Sequence, residues 1–323
     1  MSMTPDQAAW FRDTFTRLVD NVDIAVMGKR EVVGLVLSAM LAEGHVLLED
    51  APGTGKTSLA KALAASVQGT SNRIQFTPDL LPSDVTGVTI YDQKNHTFEF
   101  HKGPVFASIV LADEINRASP KTQSALLEVM EESRITVDGV AHDVGRPFLV
   151  IATQNPIEQA GTYKLPEAQL DRFMIKTSIG YPSLAIAERI LAGAVDRNPS
   201  AQLTPVITTG AVADMADLAA TVHVDSAVAR YAAQLVEATR ASEATRLGVS
   251  VRGAISMIRI AKVYAASQGR HFVVPDDIKT LAMPVWTHRL VLDPEAEFSG
   301  VSAETVIERA VASVDAPLAR ASA

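Results

Sequence analysis

Length, composition and charge exclude several classes of protein. The 323 residues, 47% of them hydrophobic, are enough for two domains with a substantial core. The sequence has no cysteine, which excludes disulfides and thiolate–metal sites, and its 7 histidines show no ligand-like spacing. A net charge of -8 argues against a surface devoted to nucleic-acid phosphates. Because the charged N-terminal stretch is unlike a secretory signal and no apolar run is long enough for a membrane span, we expect a cytoplasmic protein.

The chain is predicted to begin with an amphipathic helix. Thr4-Pro5 is a helix-start signal. Apolar side chains then recur at spacings of four, three and four residues, which places them on one helical face. These side chains are Phe11, Phe15, Leu18 and Val22.

Short apolar runs with strand character follow this helix. They lack polar alternation, which is typical of strands covered on both faces. Helical stretches follow the first and the third run, in the βαβ rhythm of a parallel sheet. We therefore predict that residues 1–180 form an α/β domain with a parallel five-stranded sheet covered by helices. The five runs are 45–49, 73–76, 108–112, 148–152 and 174–179.

Two polar excursions interrupt the rhythm, and a different pattern follows residue 180. Residues 87–103 and 134–145 alternate around turn-forming residues, so each is predicted to form a hairpin insert. From residue 181 to 323 the strand signals fade and alanine-rich helical patterns take over. We predict an all-helical second domain, in which Pro284 interrupts a helix that opens near Val274.

The stretch LLEDAPGTGKTSLAKALA, residues 47–64, resembles a phosphate-binding loop except at Asp50. In such a loop, backbone N–H groups, a helix N-terminus, a lysine and a Mg²⁺-binding hydroxyl hold the phosphates. Asp50 stands where the pattern GxxxxGKS/T begins with glycine, before the N–H groups of the cradle. It is compatible with the loop if the backbone there needs no positive φ. The predicted nucleotide ligands are Pro52, Gly53, Thr54, Gly55, Lys56, Thr57 and Ser58, with Thr57 also a metal ligand.

Polar side chains follow two later apolar runs. SIVLADEINRASPKTQ, residues 108–123, is an apolar strand that ends in Asp113 and Glu114. The first acid can hold Mg²⁺ through water and the second can polarise an attacking water, which suits hydrolysis. Asn155 lies just past the next strand, where its amide could orient that water, although Gln-Asn-Pro is equally typical of a simple turn.

At this point the sequence closely resembles the MoxR group of AAA+ ATPases, in the branch that carries an insert in helix 2. The resemblance covers nearly the whole chain and rests on LEDAPGTGKT, LADEINRASPKTQSALLEVMEE, IATQNPIEQAGTYKLPEAQLDRFM and GYPS. It implies an AAA+ P-loop NTPase domain over residues 1–180 and a helical lid domain over residues 181–323. In that family, aspartate is accepted at the position of Asp50.

The resemblance implies roles for residues around the nucleotide, which would be ATP with Mg²⁺. Residues 53–57 match the Walker A loop, Asp113 and Glu114 match the Walker B acids, and Asn155 matches sensor 1. Gly28, within Met27-Gly28-Lys29, matches the segment that lines the adenine pocket.

Two arginines and the two inserts also have counterparts in the family. Arg172, in LDRF, matches the arginine finger, which reaches the nucleotide of a neighbouring subunit. Arg252, in GVSVRGA, matches sensor 2 on the lid, although Val251 departs from the more common proline. Without the family, a surface arginine at a helix start is the preferred interpretation of Arg252. The inserts at 87–103 and 134–145 are expected near the central pore of a ring.

Three uses of the ATP remain open. The favoured one is a ring, most often a hexamer, that remodels or matures a protein client together with a von Willebrand factor A domain protein. The alternative is the motor subunit of a magnesium or cobalt chelatase, which shares the insert architecture. A nucleic-acid translocase is third, because the net charge of -8 and a first hairpin without arginine offer no cationic path for phosphates.

Overall fold

The protein is described by a computed structural model over residues 2–155, 162–192 and 199–317. The helices are α1 (Pro5–Ala25), α2 (Arg30–Leu41), α3 (Lys56–Ser66), α4 (Pro82–Thr86), α5 (Pro120–Glu132), α6 (Glu167–Leu170), α7 (Leu184–Leu191), α8 (Thr209–Ala220), α9 (Ser226–Arg240), α10 (Val251–Ser267), α11 (Pro275–Trp286), α12 (Pro294–Phe298) and α13 (Ala303–Ser313). The strands are β1 (Val46–Glu49), β2 (Ser71–Gln75), β3 (Gly87–Asp92), β4 (Thr97–Lys102), β5 (Ile109–Asp113), β6 (Arg134–Val137), β7 (Val140–Asp143), β8 (Leu149–Gln154), β9 (Ile175–Thr177), β10 (Thr245–Leu247) and β11 (Val291–Leu292).

Five parallel strands form the central sheet, in the order β2-β5-β8-β1-β9. They are the five predicted strands, with ends that differ by a few residues. β8 lies between β5 and β1, so the loops that follow these three strands are neighbours at one edge of the sheet. The domain boundary that we propose, between residues 180 and 181, lies between β9 and α7.

Alternate residues of the three central strands, β5, β8 and β1, enter two separate hydrophobic cores, so both faces of the sheet are covered there. Val46 and Leu48 belong to the first core, whereas Leu47 belongs to the second. In β5, Leu111 belongs to the first core and Val110 to the second. Side chains on consecutive strand residues point to opposite faces, so a strand buried on both sides needs an apolar run without alternation.

The first core continues from the sheet into the C-terminal helices. α1 packs against both α3 and α10, and the predicted apolar stripe of α1 is buried. Thr4 caps this helix, since its side chain accepts a hydrogen bond from the backbone N–H of Gln7. The N-terminal helix therefore joins the two parts of the chain.

The C-terminal part forms a helical lid, with one short sheet. Thr245–Leu247 and Val291–Leu292 pair as two antiparallel strands, β10 and β11, which the all-helical prediction omitted. Strands this short leave no alternating pattern long enough to detect in a sequence. No helix in the described ranges is long and apolar enough to cross a membrane.

The prediction that Pro284 interrupts a helix was wrong, because α11 continues through it to Trp286. A proline inside a helix removes one backbone donor and crowds the preceding turn, at a cost of about 3 kcal/mol, and the burial of this segment offsets that cost. Val285 and Trp286 are fully buried, and the Trp286 indole N–H donates to the carbonyl of Gly253 at 3.2 Å. Tertiary packing therefore sets the end of this helix.

Both predicted hairpins are present. β3 pairs with β4, and β6 pairs with β7 around Asp138 and Gly139, whose φ angles of 50° and 79° suit a tight two-residue turn. Phe100 of the first hairpin stacks on His142 of the second, with ring centroids 4.1 Å apart. This stack joins the two inserts.

A buried histidine connects the start of the sheet to α5. Val150 donates its backbone N–H to Nδ1 of His45 at 3.1 Å, so Nε2 carries the proton and donates to the carbonyl of Met130 at 2.9 Å. Burial lowers the pKa of His45 to about 4, although the Met130 hydrogen bond opposes the shift. His45 is therefore neutral in the folded protein near pH 7.

We predict that His45 makes the fold less stable as the pH falls from 6.5 to about 4. In this window the unfolded chain binds a proton at His45 and the folded chain does not, so the free energy of unfolding rises with pH. The full contribution is about 3 kcal/mol, from about 1.4 kcal/mol for each pH unit. Urea unfolding across this range checks it, with His45→Gln as the comparison. If both proteins lost the same stability on acidification, His45 would not be the cause.

Candidate active site

The loop between β1 and α3 has the backbone that a phosphate cradle requires. Gly53 and Gly55 have φ angles of 84° and 95°, in the left-handed region that favours glycine. A Cβ atom at either position would meet nothing within 4 Å, so the space in front of the loop is open. α3 begins at Lys56, and the unpaired N–H groups of its first turn add a positive potential. The loop therefore fits a bound phosphate.

Asp50 connects the start of this loop to the end of β9. Its buried carboxylate accepts hydrogen bonds from the backbone N–H groups of Ile179 at 2.7 Å and Gly180 at 2.8 Å. Asp50 is not among the described residues with positive φ, so the backbone at the start of the loop does not require a glycine there. A glycine at this position would make neither contact, so the aspartate serves as a brace.

Gly28 lies against the chain that follows β9, at the start of α7. Its φ is 74°, and a Cβ atom there would come within 2.2 Å of Cδ1 of Ile186. Asp23 accepts hydrogen bonds from the N–H groups of Gly28 at 3.0 Å and Lys29 at 3.3 Å, which holds the turn. The Lys29 ammonium donates to the carbonyl of Tyr181 at 2.8 Å. The predicted adenine segment and the phosphate loop therefore meet at the exit of β9.

Asp113 is an ionised acid close to the loop lysine. Thr153 donates its hydroxyl to Oδ1 at 2.6 Å, and Arg73 donates to Oδ2 at 2.5 Å. Burial by itself would raise the pKa of Asp113, but these hydrogen bonds and the charges of Lys56 and Arg73 outweigh burial and lower it. The Lys56 ammonium lies 4.0 Å from Oδ1. A carboxylate here and the hydroxyl of Thr57, next to Lys56, are donors of the kind that Mg²⁺ prefers.

Glu114 is held in an unusual backbone conformation. Its φ of 58° and ψ of 48° lie in the left-handed region, which non-glycine residues rarely adopt and which is frequent at functional sites. The backbone N–H donates to Thr153 at 2.9 Å. Oε2 accepts from Gln75 at 3.1 Å and contacts Nε of Arg117 at 3.0 Å. Both the main chain and the carboxylate are thereby fixed.

Asn155 follows β8 directly, between the strands that carry the acids and the phosphate loop. The last residue of β8, Gln154, pairs with Glu49 at the end of β1. Asn155 is therefore at the same sheet edge as Lys56 and Asp113. The part of its motif over residues 156–161 lies outside the described residues.

Arg172 lies at the opposite edge of the sheet. It precedes β9, whose first residue Ile175 pairs with Val46, the first residue of β1. Met174, next to Ile175, donates its N–H to the carbonyl of His45 at 2.8 Å. The phosphate loop follows the other end of β1, and four strand residues span about 13 Å.

Arg252 lies beside Arg172, although it comes from the lid. Glu131, near the end of α5, contacts both arginines. Its Oε2 is 3.1 Å from Nη2 of Arg172, and its Oε1 accepts a hydrogen bond from Nη2 of Arg252. The preceding residue, Met130, bonds to His45 just before β1, which places this cluster at the start of the sheet. The sequence analysis did not anticipate that the two arginines share one carboxylate.

The lid also holds the residues on both sides of Arg172. The buried guanidinium of Arg289 donates to Oδ1 of Asp171 at 3.0 Å and to the carbonyl of Phe173 at 2.6 Å. Ser250 donates to Asp171 at 2.9 Å. Burial lowers the pKa of Arg289 to about 10, while the Asp171 charge opposes the shift. Arg289 therefore stays charged at pH 7, paired with Asp171.

Several residues of the site were missed by the sequence analysis. They were missed because each acts through a partner distant in the sequence. Thr153 had a weak local signal, since it is a hydroxyl inside the apolar run before Asn155. Arg73 and Gln75 alternate with the buried Ile74, which gives β2 one polar face. Nothing in the sequence around Glu131 distinguished it from other acidic residues near the end of a helix.

Comparisons with protein families define the class of the protein. The model described as "ATPase family associated with various cellular activities (AAA)" matches residues 45–175, which include the phosphate loop and both acids. The model described as "AAA lid domain" matches residues 237–310. An AAA domain followed by its lid is the arrangement of an AAA+ ATPase.

Comparison with individual relatives indicates the family within the AAA+ ATPases. Chaperone MoxR1 of Mycobacterium tuberculosis is 40% identical over 94% of this chain and 82% of its own length. Protein MoxR of Paracoccus denitrificans is 32% identical over 90% of this chain and 91% of its own. A crystal structure of a protein from Cytophaga hutchinsonii, assigned as an ATPase, superposes with a TM-score of 0.89 at 37% identity and covers 97% of each chain. The chain belongs to the MoxR family of AAA+ ATPases, which confirms the predicted resemblance, and it is an ATP hydrolase.

We predict that Asp50→Gly, which restores the common glycine, destabilises the protein and weakens ATP binding. The change leaves the N–H groups of Ile179 and Gly180 without their acceptor, at a cost on the order of 3 kcal/mol in the free energy of unfolding. Chemical denaturation and titration with a fluorescent ATP analogue check both effects. Lys56→Ala is the control for ATP binding, since it removes the cation at the phosphates but leaves the contacts of Asp50 with Ile179 and Gly180 in place. A glycine variant as stable as the wild type would refute the brace.

Proposed function

We propose that this ATPase works as a ring, a hexamer by resemblance to its family, in which ATP bound by one subunit is hydrolysed with help from the next. The observation that carries the proposal is the separation of the two halves of the site. Lys56, Asp113 and Glu114 lie at the carboxyl edge of the sheet, whereas Arg172 and Arg252 lie at the start of the same sheet. About 13 Å of strand separates the edges, which is longer than an arginine side chain. These arginines would therefore serve a neighbour.

In this proposal each subunit binds the phosphates of its own ATP. The N–H groups of residues 53–57 and the Lys56 ammonium hold the β- and γ-phosphates. Thr57 and Asp113 would hold Mg²⁺, which when bound offsets the negative charge of the phosphates. Gly28 and its turn would contact the adenine at the exit of β9, beside the Asp50 brace.

Hydrolysis would use groups from both subunits. Glu114 accepts a proton from the attacking water while Asn155 orients that water. The water oxygen bonds to the γ-phosphorus, and the bond between that phosphorus and the bridging oxygen of ADP breaks. Arg172 of the neighbour stabilises the charge that develops on the γ-phosphate oxygens, with Arg252 beside it. Mutual dependence of this kind couples turnover to assembly.

The exposed hairpin supports a polypeptide as the client. β3 and β4 expose four apolar side chains, Val88, Ile90, Tyr91 and Phe98, of which Phe98 is 75% exposed. Tyr91 and Phe98 pair across the two strands on one face of the hairpin, and Val88 and Ile90 lie on the other. Exposed apolar side chains are suited to contact with a protein chain, whereas a phosphate backbone requires a cationic path. One relative is named a chaperone. By the same resemblance, we propose remodelling of a protein client with a von Willebrand factor A domain partner.

We predict that mixing two inactive variants restores ATPase activity. Arg172→Ala should bind ATP but lose about 10³-fold in rate, as removal of an arginine finger does. Glu114→Gln should also bind ATP and assemble, because the amide keeps the shape and only removes the base. In mixed rings some interfaces join an intact Glu114 to an intact Arg172, and these should hydrolyse ATP. Steady-state rates of each variant, alone and after mixed reassembly, give the result.

Circular dichroism of both variants and light scattering with saturating ATP are the controls for folding and assembly. A chain that remains monomeric and hydrolyses ATP at full rate would contradict the ring. Absence of recovery in rings shown to be mixed would contradict the assignment of Arg172 to the neighbouring site.

We predict that Glu114→Gln rings loaded with ATP retain a protein client from a lysate of the source organism. The slow variant prolongs the ATP-bound state in which a client is gripped. Replacing the exposed Phe98 with serine in the same background should reduce the retained protein, because the change removes apolar contact area. Mass spectrometry identifies the retained chains. Stimulation of wild-type ATPase activity by DNA or RNA, with no retained protein, would instead favour a translocase.

A further inference from the structure

We propose that Glu131 is a positioning residue for catalysis in the neighbouring subunit. Its carboxylate holds Arg172 of the core and Arg252 of the lid together, so that both guanidinium groups reach the neighbour's γ-phosphate as one unit. The proposal rests on the assignment of Arg172 to the neighbouring site made above.

The two oxygens of the Glu131 carboxylate contact different arginines. Oε2 of Glu131 contacts Arg172 and Oε1 contacts Arg252. Two guanidinium groups repel each other at short range, and a carboxylate between them removes that repulsion. Without Glu131, that repulsion would favour separation of the two guanidinium groups. The pair therefore depends on this single acid.

Both arginines keep the capacity to bind a phosphate. A guanidinium carries five N–H donors in a fixed fork, and the closest contact of each arginine with Glu131 is made through its Nη2. The side chains of Arg172 and Arg252 are 30% and 44% exposed. Arg172 and Glu131 also line an open cleft of about 660 Å³. Arg172 therefore faces open space that a second subunit can enter, and Arg252 lies beside it on the same carboxylate.

Glu131 also connects the lid to the arginine finger. Arg252 is the second residue of α10, and Ser250, which caps the same helix, bonds to Asp171 beside Arg172. The start of α10 thus holds the finger from two sides, through Asp171 and through Glu131. A lid movement would displace both arginines together, which gives the lid control over the neighbour's rate.

The test compares Glu131→Gln with Glu237→Gln. Glutamine keeps the size of the side chain but replaces one acceptor oxygen with a donor, which cannot bind a guanidinium. Misplaced catalytic groups commonly cost about 10²-fold, so kcat should fall about 10- to 100-fold. ATP affinity should stay within about twofold, because Lys56 lies at the other sheet edge. Glu237, which pairs with Arg240 on the exposed face of α9 and lies outside this cleft, should tolerate the same change with wild-type kcat.

A combined variant separates positioning from a structural role. If Glu131 acts through the two arginines, adding Glu131→Gln to the Arg172→Ala, Arg252→Ala variant should lower kcat no further. Unchanged kcat in Glu131→Gln would overturn the proposal. Equal losses of kcat, ATP affinity and thermal stability would also overturn it, because they would indicate general damage to the fold.

Mixed rings distinguish failure of this inference from failure of the proposed function. Glu131→Gln mixed with Glu114→Gln should regain activity at interfaces where the intact Glu131 belongs to the Glu114→Gln subunit. Recovery in the Arg172→Ala mixture but not in this one would overturn only the role of Glu131. Recovery in neither mixture would overturn the assignment of Arg172, and with it this proposal.

Discussion

The polarity of the parallel sheet is the constraint on which the rest of the site depends. Since all five strands run in one direction, the chain leaves the sheet at one edge and enters it at the other. The phosphate loop, the acid pair and Asn155 follow strand ends, so they meet at the carboxyl edge, as ligand-binding groups do in open α/β sheets. Arg172 precedes a strand and therefore lies at the other edge. A subunit built in this way keeps its acids and phosphate-loop lysine apart from its arginines, and a second copy of the chain can bring the two sets together.

Buried polar contacts fix the carboxyl edge, and each has a partner of suitable charge. Thr153 is central, because its hydroxyl donates to Asp113 and accepts the N–H of Glu114. Arg73 and Lys56 supply positive charge to Asp113. Buried carboxylates need such compensation, since burial of a lone charge is costly. The phosphate loop has a similar anchor in Asp50, so a departure from the common glycine adds stability at the point where β9 leads to the lid.

Sequence patterns predicted the local features of this protein well, and the long-range polar contacts poorly. The strands, the two hairpins and the first helix follow from periodicity and turn residues, which act over a few positions. The phosphate loop and the acid pair were recognisable because their chemistry fixes residue types at short spacing. The Asp50 brace and the bond between Glu131 and Arg252 join residues 129 and 121 positions apart, so no local pattern could reveal them. Helix α11 continued past Pro284 because the buried Trp286 overrides the local preference.

The lid contacts the sheet at both edges, and this arrangement gives it a mechanical role. At the carboxyl edge, the chain leaves β9 through residues braced by Asp50 and leads directly to α7, next to the segment of Gly28. At the other edge, Arg289 clamps the chain on both sides of Arg172. We expect a nucleotide that tightens the first contact to shift the lid, and the clamp would then carry that shift to Arg172. In the proposed ring, occupancy of one subunit's site would in this way influence the arginine that the subunit presents to its neighbour, and so couple the two sites.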